Sequence, residues 1–103
     1  MITVFDVETS FQITEEGKLD PSAKNPNNFL VSIGINDEYV FFKHREYQGV
    51  PDRKKVQDIL DKTKLLVGHN IKFDLLWLWE AGFKYDGRVY DTMIGEYVMN
   101  KGI

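Results

Sequence analysis

Hydrophobic and polar positions alternate from the first residues: on an extended chain Ile2, Val4, Asp6 and Glu8 share one side, and Thr3, Phe5 and Val7 take the other. Apolar residues on both sides predict a central strand covered on both faces. Its end, Val4-Phe5-Asp6-Val7-Glu8-Thr9, presents two carboxylates on the same face. Residues 10–28 then carry Gly17, Pro21, Pro26 and several asparagines without sustained periodicity, which reads as a long loop. Phe29–Ile35 and Tyr39–Lys43 flank Asn36-Asp37-Glu38 and predict an antiparallel hairpin.

Beyond the hairpin the period lengthens. Pro51 suits a first helical turn, and Val56, Ile59 and Leu60 give an apolar stripe ending near Thr63. Leu65-Leu66-Val67 predicts a short buried strand, and Gly68-His69-Asn70 turns into a second helix, with Asn70 as N-cap and Gly82 closing it. Ile71, Leu75, Leu78, Trp79 and Gly82 form its core stripe with Asp74 at the margin. Trp77 lies on the opposite flank and reads as packing rather than as part of a base platform. Arg88–Tyr90 predict a last strand, after which Asp91 is expected to cap a third helix through Met93, Ile94, Tyr97 and Val98, with the chain stopping in or just after it at Ile103. Strands alternating with helices, without repeats or low-complexity tracts, place the chain in the α/β or α+β classes.

Composition narrows this picture. At 103 residues, 43% hydrophobic and 28% charged, the chain is expected to form one compact domain. No apolar run approaches the roughly 20 residues that span a bilayer, and there is no signal-peptide pattern at the N-terminus. The expectation is a cytoplasmic protein, bacterial or in a phage-infected cell, with no membrane partner. Zero cysteines exclude disulfides and thiolate metal sites. The net charge of −3 argues weakly against a polyanionic partner. Of the 16 acidic residues, however, setting aside Asp6, Glu8 and Asp74 leaves 13, equal to the 13 basic ones, so overall charge decides nothing.

Those three carboxylates carry the candidate chemistry. Asp6 and Glu8 repel and lose hydration at a strand end unless water, hydrogen bonds or a cation compensates them. Asp74, four residues after Asn70, sits in the first turn of the second helix. If that helix follows a strand parallel to and beside the first, its start lies at the carboxyl edge where Asp6 and Glu8 emerge, the usual ligand crevice of open α/β sheets. Oxygen-only ligands suit Mg²⁺ or Mn²⁺. Two such ions about 3.5–4 Å apart activate a water and stabilise the leaving oxygen in phosphodiester hydrolysis.

Phe5-Asp6-Val7-Glu8-Thr9 resembles the first exonuclease motif of the DEDD superfamily, and Val67-Gly68-His69-Asn70-Ile71-Lys72-Phe73-Asp74 the second. Ala81-Gly82-Phe83 through Tyr90-Asp91-Thr92-Met93 and Glu96-Tyr97 is similar to the continuation found in the proofreading 3′–5′ exonuclease domain of family A, DNA polymerase I-like polymerases, phage enzymes included. This resemblance implies an α/β RNase H-like mixed sheet of strand order 3-2-1-4-5, flanked by helices. It implies that Asp6 bridges two Mg²⁺ or Mn²⁺ ions, with Glu8 on one and Asp74 on the other. It also implies that Thr9, Asn70 and Phe73 contact the 3′ end of single-stranded DNA. Phe73 has its own rationale, since aromatic rings stack on unpaired bases for about 1–3 kcal/mol each.

The third motif of that family, Tyr-x-x-x-Asp, is absent: no tyrosine here has aspartate four positions on. His69 and Asp74 match the spacing of its histidine variant but lie inside the second motif. Residues 1–103 are therefore expected to be a single partial exonuclease domain, truncated at the C-terminus, with a downstream polymerase domain or a second chain as partner. Surface uncovered by truncation is expected to favour homo-oligomers. Two alternatives stay open, an RNase D-like RNA exonuclease and a catalytically silent nucleic-acid-binding or assembly module. Arg53-Lys54-Lys55 reads as a solvated helix face, His69 as a turn histidine, and Asn70 equally as cap and as DNA contact.

Overall fold

A computed structural model describes residues 1–42 and 52–99. The first strand, β1 (Ile2–Thr9), keeps the expected alternation, with Thr3 and Phe5 buried. Its other face is open among the described residues: Ile2 and Val4 are 65% and 56% exposed, so the expected coverage of both faces does not hold. Residues 10–28 are not wholly irregular. They fold back as a two-stranded hairpin of β2 (Gln12–Ile13) and β3 (Leu19–Asp20), whose strands are too short to register as a period. The neck of this excursion is closed, because Ser10 N–H donates to the Phe29 carbonyl and Phe29 N–H to Ser10 Oγ.

The expected hairpin follows as β4 (Leu30–Ile35) and β5 (Glu38–Phe41), joined through Asn36 at a left-handed φ of 54°. Asparagine tolerates that conformation, and its side chain also accepts from the Val4 N–H. Lys43, Pro51 and residues 100–103 lie outside the described residues. The helix α1 (Arg53–Lys62) is capped by Asp52, whose Oδ1 accepts from the Lys55 N–H, and buries Val56 and Leu60 as the stripe requires. Then come β6 (Leu65–Gly68), α2 (Ile71–Glu80), β7 (Arg88–Asp91) and β8 (Glu96–Val98).

Among the described residues the expected third helix is absent. Gly95 takes a φ of 66° in a turn after Asp91, and the chain returns antiparallel to β7 as β8. A mid-helix glycine costs about 1 kcal/mol against alanine, whereas Tyr97 and Val98 favour a strand. Tyr97 meets Tyr90 edge-to-face across the pair, with Arg88 over its ring. Met93 and Ile94, which made the sequence look helical, are exposed.

The described residues are thus α/β, with a mixed six-stranded sheet ordered β5-β4-β1-β6-β7-β8 and two helices. This differs from the expected five-strand order, since β8 forms an edge where a helix was expected. The strands β1, β6 and β7 are parallel and the other pairs antiparallel. Register puts Thr3, Leu66 and Val89 in one row and Phe5 opposite Ile35, which defines the buried face. Helix α2 packs on it through Ile71, Leu75 and Leu78, which fixes where its first turn meets the sheet. Trp77 is buried too, its Nε1 donating to the Pro21 carbonyl, so residues of the 10–28 excursion cover the outer flank of the helix. An all-round apolar helix needs such cover on both sides.

Candidate metal centre

Asp6 stands opposite Gly34 of β4, and the position a Cβ on Gly34 would occupy is taken by Asp6 Oδ1. Glycine inside a strand often marks such a close approach. Beyond Glu8 the ladder slips: Glu8 faces Ser32, yet Thr9 faces Leu30, leaving Val31 unmatched. This bulge re-aims the tip of β1 as it leaves the sheet. Asp6 and Glu8 are both exposed. Partial burial, and then the charge of Glu8, raise the Asp6 carboxyl above its ordinary value of 3.8.

The parallel pairing of β1 with β6 ends at Val4 and Val67, and β6 finishes at Gly68. A Cβ on Gly68 would overlap Ile71 Cδ1, lie 2.8 Å from the Phe5 carbonyl oxygen and reach 3.4 Å from Asp74 Oδ2. The missing side chain lets the first turn of α2 close onto the tip of β1. Asp74 is consequently buried, only 4% exposed, and its Oδ2 has no hydrogen-bond partner. Burial chiefly, then the charge of Asp6 and to a lesser degree that of Asp91, push its carboxyl up to about 8, against a smaller downward pull from the Val7 N–H. A buried carboxyl oxygen without a partner is a costly arrangement for an isolated domain.

The structure therefore brings Asp74 into the field of Asp6, and Asp6 into that of Glu8. Among the described residues, no group of three or more His, Cys, Asp or Glu side chains is gathered closely enough to hold a metal ion. What fits a hard divalent cation is the donor set, three carboxylates without nitrogen or sulfur, together with the orphaned oxygen of Asp74. Thr9 lies half-buried at the bulge, and Phe73 is half-buried in the first turn of α2, packed against the core.

Asn70 occupies the N-cap position, but its side chain makes no capping bond, and its backbone is left-handed at φ 59°, ψ 51°. The acceptor comes from Asp91 instead, whose Oδ1 accepts from the N–H groups of Asn70 and Met93, both at 2.9 Å. Burial raises the Asp91 carboxyl, but the N–H groups of Met93, Asn70 and Ile71, with His69, outweigh it and hold the carboxyl below the ordinary value. Asp91 thus caps a helix that precedes it. His69 Nδ1 lies 3.2 Å from Thr92 Oγ1, and that hydroxyl also donates to the Gly68 carbonyl, as a turn histidine would have it.

Arg53 is not simply solvated: its guanidinium donates to the Ala81 carbonyl and lies over the Phe83 ring, tying α1 to the end of α2. Lys54 and Lys55 remain on the surface, paired with Asp58 and Glu38. Sequence reasoning missed Gly34, Gly68, the bulge and the role of Asp91. Glycines inside apolar strand runs were the one available signal.

Over 55 residues the chain is 40% identical to DNA polymerase I of Aquifex aeolicus (strain VF5), a stretch that is 48% of this chain and 9% of that polymerase. The likeness is to DNA polymerase I. The chain spans about a tenth of that relative's length. No family model matches the chain, and no solved structure does. Among the described residues no helix is long and apolar enough to cross a membrane.

Proposed function

We propose that this chain is part of a 3′–5′ exonuclease domain of the proofreading type, RNase H-like in fold, that hydrolyses terminal phosphodiesters of single-stranded DNA with divalent metal ions. The observation that carries the reading is the buried, unpartnered oxygen of Asp74, on a carboxyl that feels the charge of Asp6. The similarity to DNA polymerase I supports a DNA rather than an RNA substrate.

Asp6, Glu8 and Asp74 would hold Mg²⁺ or Mn²⁺. When bound, such ions supply an activated water and charge stabilisation at the leaving oxygen. Thr9 and Asn70 would contact the terminal nucleotides, and Phe73 would stack on a base. No Tyr-x-x-x-Asp occurs among the 103 residues, and in this reading a fourth carboxylate would be supplied by a polymerase domain or a second chain. The test is trimming of 3′-labelled single-stranded DNA and RNA with Mg²⁺ or Mn²⁺, in parallel with Mn²⁺ titration. Expected are saturable Mn²⁺ binding lost in Asp74→Ala and, where the fourth carboxylate is supplied, a DNA ladder lost in Asp6→Ala. Preferential RNA trimming would point to the RNase D-like alternative, DNA binding without cleavage to the silent module, and absence of Mn²⁺ binding would overturn the metal reading.

The open face of β1 bears on assembly. Ile2, Val4, Tyr39 and Tyr97 are each more than half exposed on it. Scattered exposed apolar residues are ordinary, but a contiguous face of them favours association. Sedimentation of the 103-residue chain is expected to show self-association rising with concentration. A single monomeric species throughout would count against it.

A further inference from the structure

We propose that Asp91 is a positioning residue of the candidate metal centre: it fixes the first turn of α2 so that the Asp74 carboxylate is held beside Asp6, without being a ligand itself. This inference rests on the metal reading of Asp6, Glu8 and Asp74.

In the parallel pairing of β6 with β7, Asp91 stands opposite Gly68, so the sheet places its side chain at the turn where β6 hands over to α2. There it is 2% exposed, although the five residues that follow are all exposed. Helix starts leave N–H groups without intrahelical partners, and a side-chain oxygen at the N-cap ordinarily answers them. Asn70 does not do so, and Asp91 takes the Asn70 N–H from 21 residues away. The same oxygen accepts from the Met93 N–H, which ties the turn after β7 to the turn before α2.

A left-handed residue at a helix start, a conformation asparagine tolerates, sets the angle at which the helix leaves the strand. Asn70 at φ 59° is such a residue, and Asp74 is four residues on, one helical turn away along the same face. Movement of the Asn70 turn therefore carries Asp74 with it. The contrast between the two carboxylates separates their roles. Oδ1 of Asp91 is occupied by N–H groups, whereas Oδ2 of Asp74 is buried with none. Groups that orient a metal ligand typically change affinity 10–100-fold when removed.

The experiment is Mn²⁺ titration of the 103-residue chain, read by water-proton relaxation, with the metal-free amide spectrum recorded alongside. Asp91→Ala is expected to weaken Mn²⁺ binding by about 10–100-fold and to shift the Asn70 and Ile71 amides. Asp91→Asn, which keeps the acceptor and loses the charge, is expected to stay close to wild type. Asp91→Glu keeps the charge but displaces the acceptor, so it should lose affinity; it also serves if the alanine variant fails to fold. Wild-type affinity in folded Asp91→Ala or in Asp91→Glu would overturn the proposal, as would an Asn variant as weak as the Ala variant, since that would make the charge itself the requirement. A wild-type chain that binds no Mn²⁺ overturns this inference and the metal reading together, which distinguishes the two failures.

Discussion

Without divalent metal, the protein is expected to lose stability as pH rises from about 5 towards 8, and Asp74→Asn is expected to remove most of that slope. Folded Asp74 keeps its proton up to about 8, whereas the unfolded chain releases it near 3.8. Between these values the folded state binds more protons than the unfolded state, so raising the pH favours unfolding. Below 3.8 both states are protonated and nothing is lost; above about 8 the whole penalty of a buried charge beside Asp6 is present. Its size is on the order of a few kcal/mol. Asp6, also raised, adds to the same sign, while Asp20 and Asp91, both lowered, act oppositely and only in acid. Melting curves in EDTA between pH 5 and 9 check this. Mn²⁺ at about 100 times its dissociation constant should return about 2.7 kcal/mol at the alkaline end. A flat wild-type profile, or an unchanged slope in Asp74→Asn, would refute the account.

Gly68→Ala is expected to have the second large effect, a destabilisation of about 1–3 kcal/mol accompanied by weaker Mn²⁺ binding. The added methyl meets two obstacles of different kinds. Ile71 Cδ1 can rotate away, but the Phe5 carbonyl, 2.8 Å off, is backbone inside the sheet and cannot. Either β1 or the first turn of α2 has to retreat, and the retreat opens the space between Asp74 and Asp6. Gly17→Ala is the control, because no atom lies within 4 Å of a Cβ there, although its φ of 77° adds local strain. Urea unfolding gives the first quantity and Mn²⁺ titration the second. A Gly68→Ala chain with unaltered Mn²⁺ affinity would show that the close approach does not set the site.

Much of this architecture was legible because short-range periods reported it. Alternation at Thr3 and Phe5, the Val56–Leu60 stripe, and the Asn36 hairpin each depend on neighbours a few residues away. The third helix failed because Met93, Ile94, Tyr97 and Val98 fit a helical period by spacing alone, while the left-handed turn at Gly95 and the Tyr90–Tyr97 contact are decided across strands. The cap on α2 was illegible for the same reason. Asn70 has the right chemistry in the right place, yet an acceptor 21 residues later displaces it, and no local pattern records that pairing. Coverage of both faces of β1 was inferred from apolar residues on each side, but one of those sides is open among the described residues.

The excursion between Ser10 and Phe29 has a consequence for anyone shortening this chain. Its pinched base makes it look removable, since the two ends already touch. Yet the indole of Trp77 rests against Pro21 near its middle. Excising it would leave the sheet intact and strip the back of the helix that carries Asp74, so an apparent ornament serves as that helix's second wall.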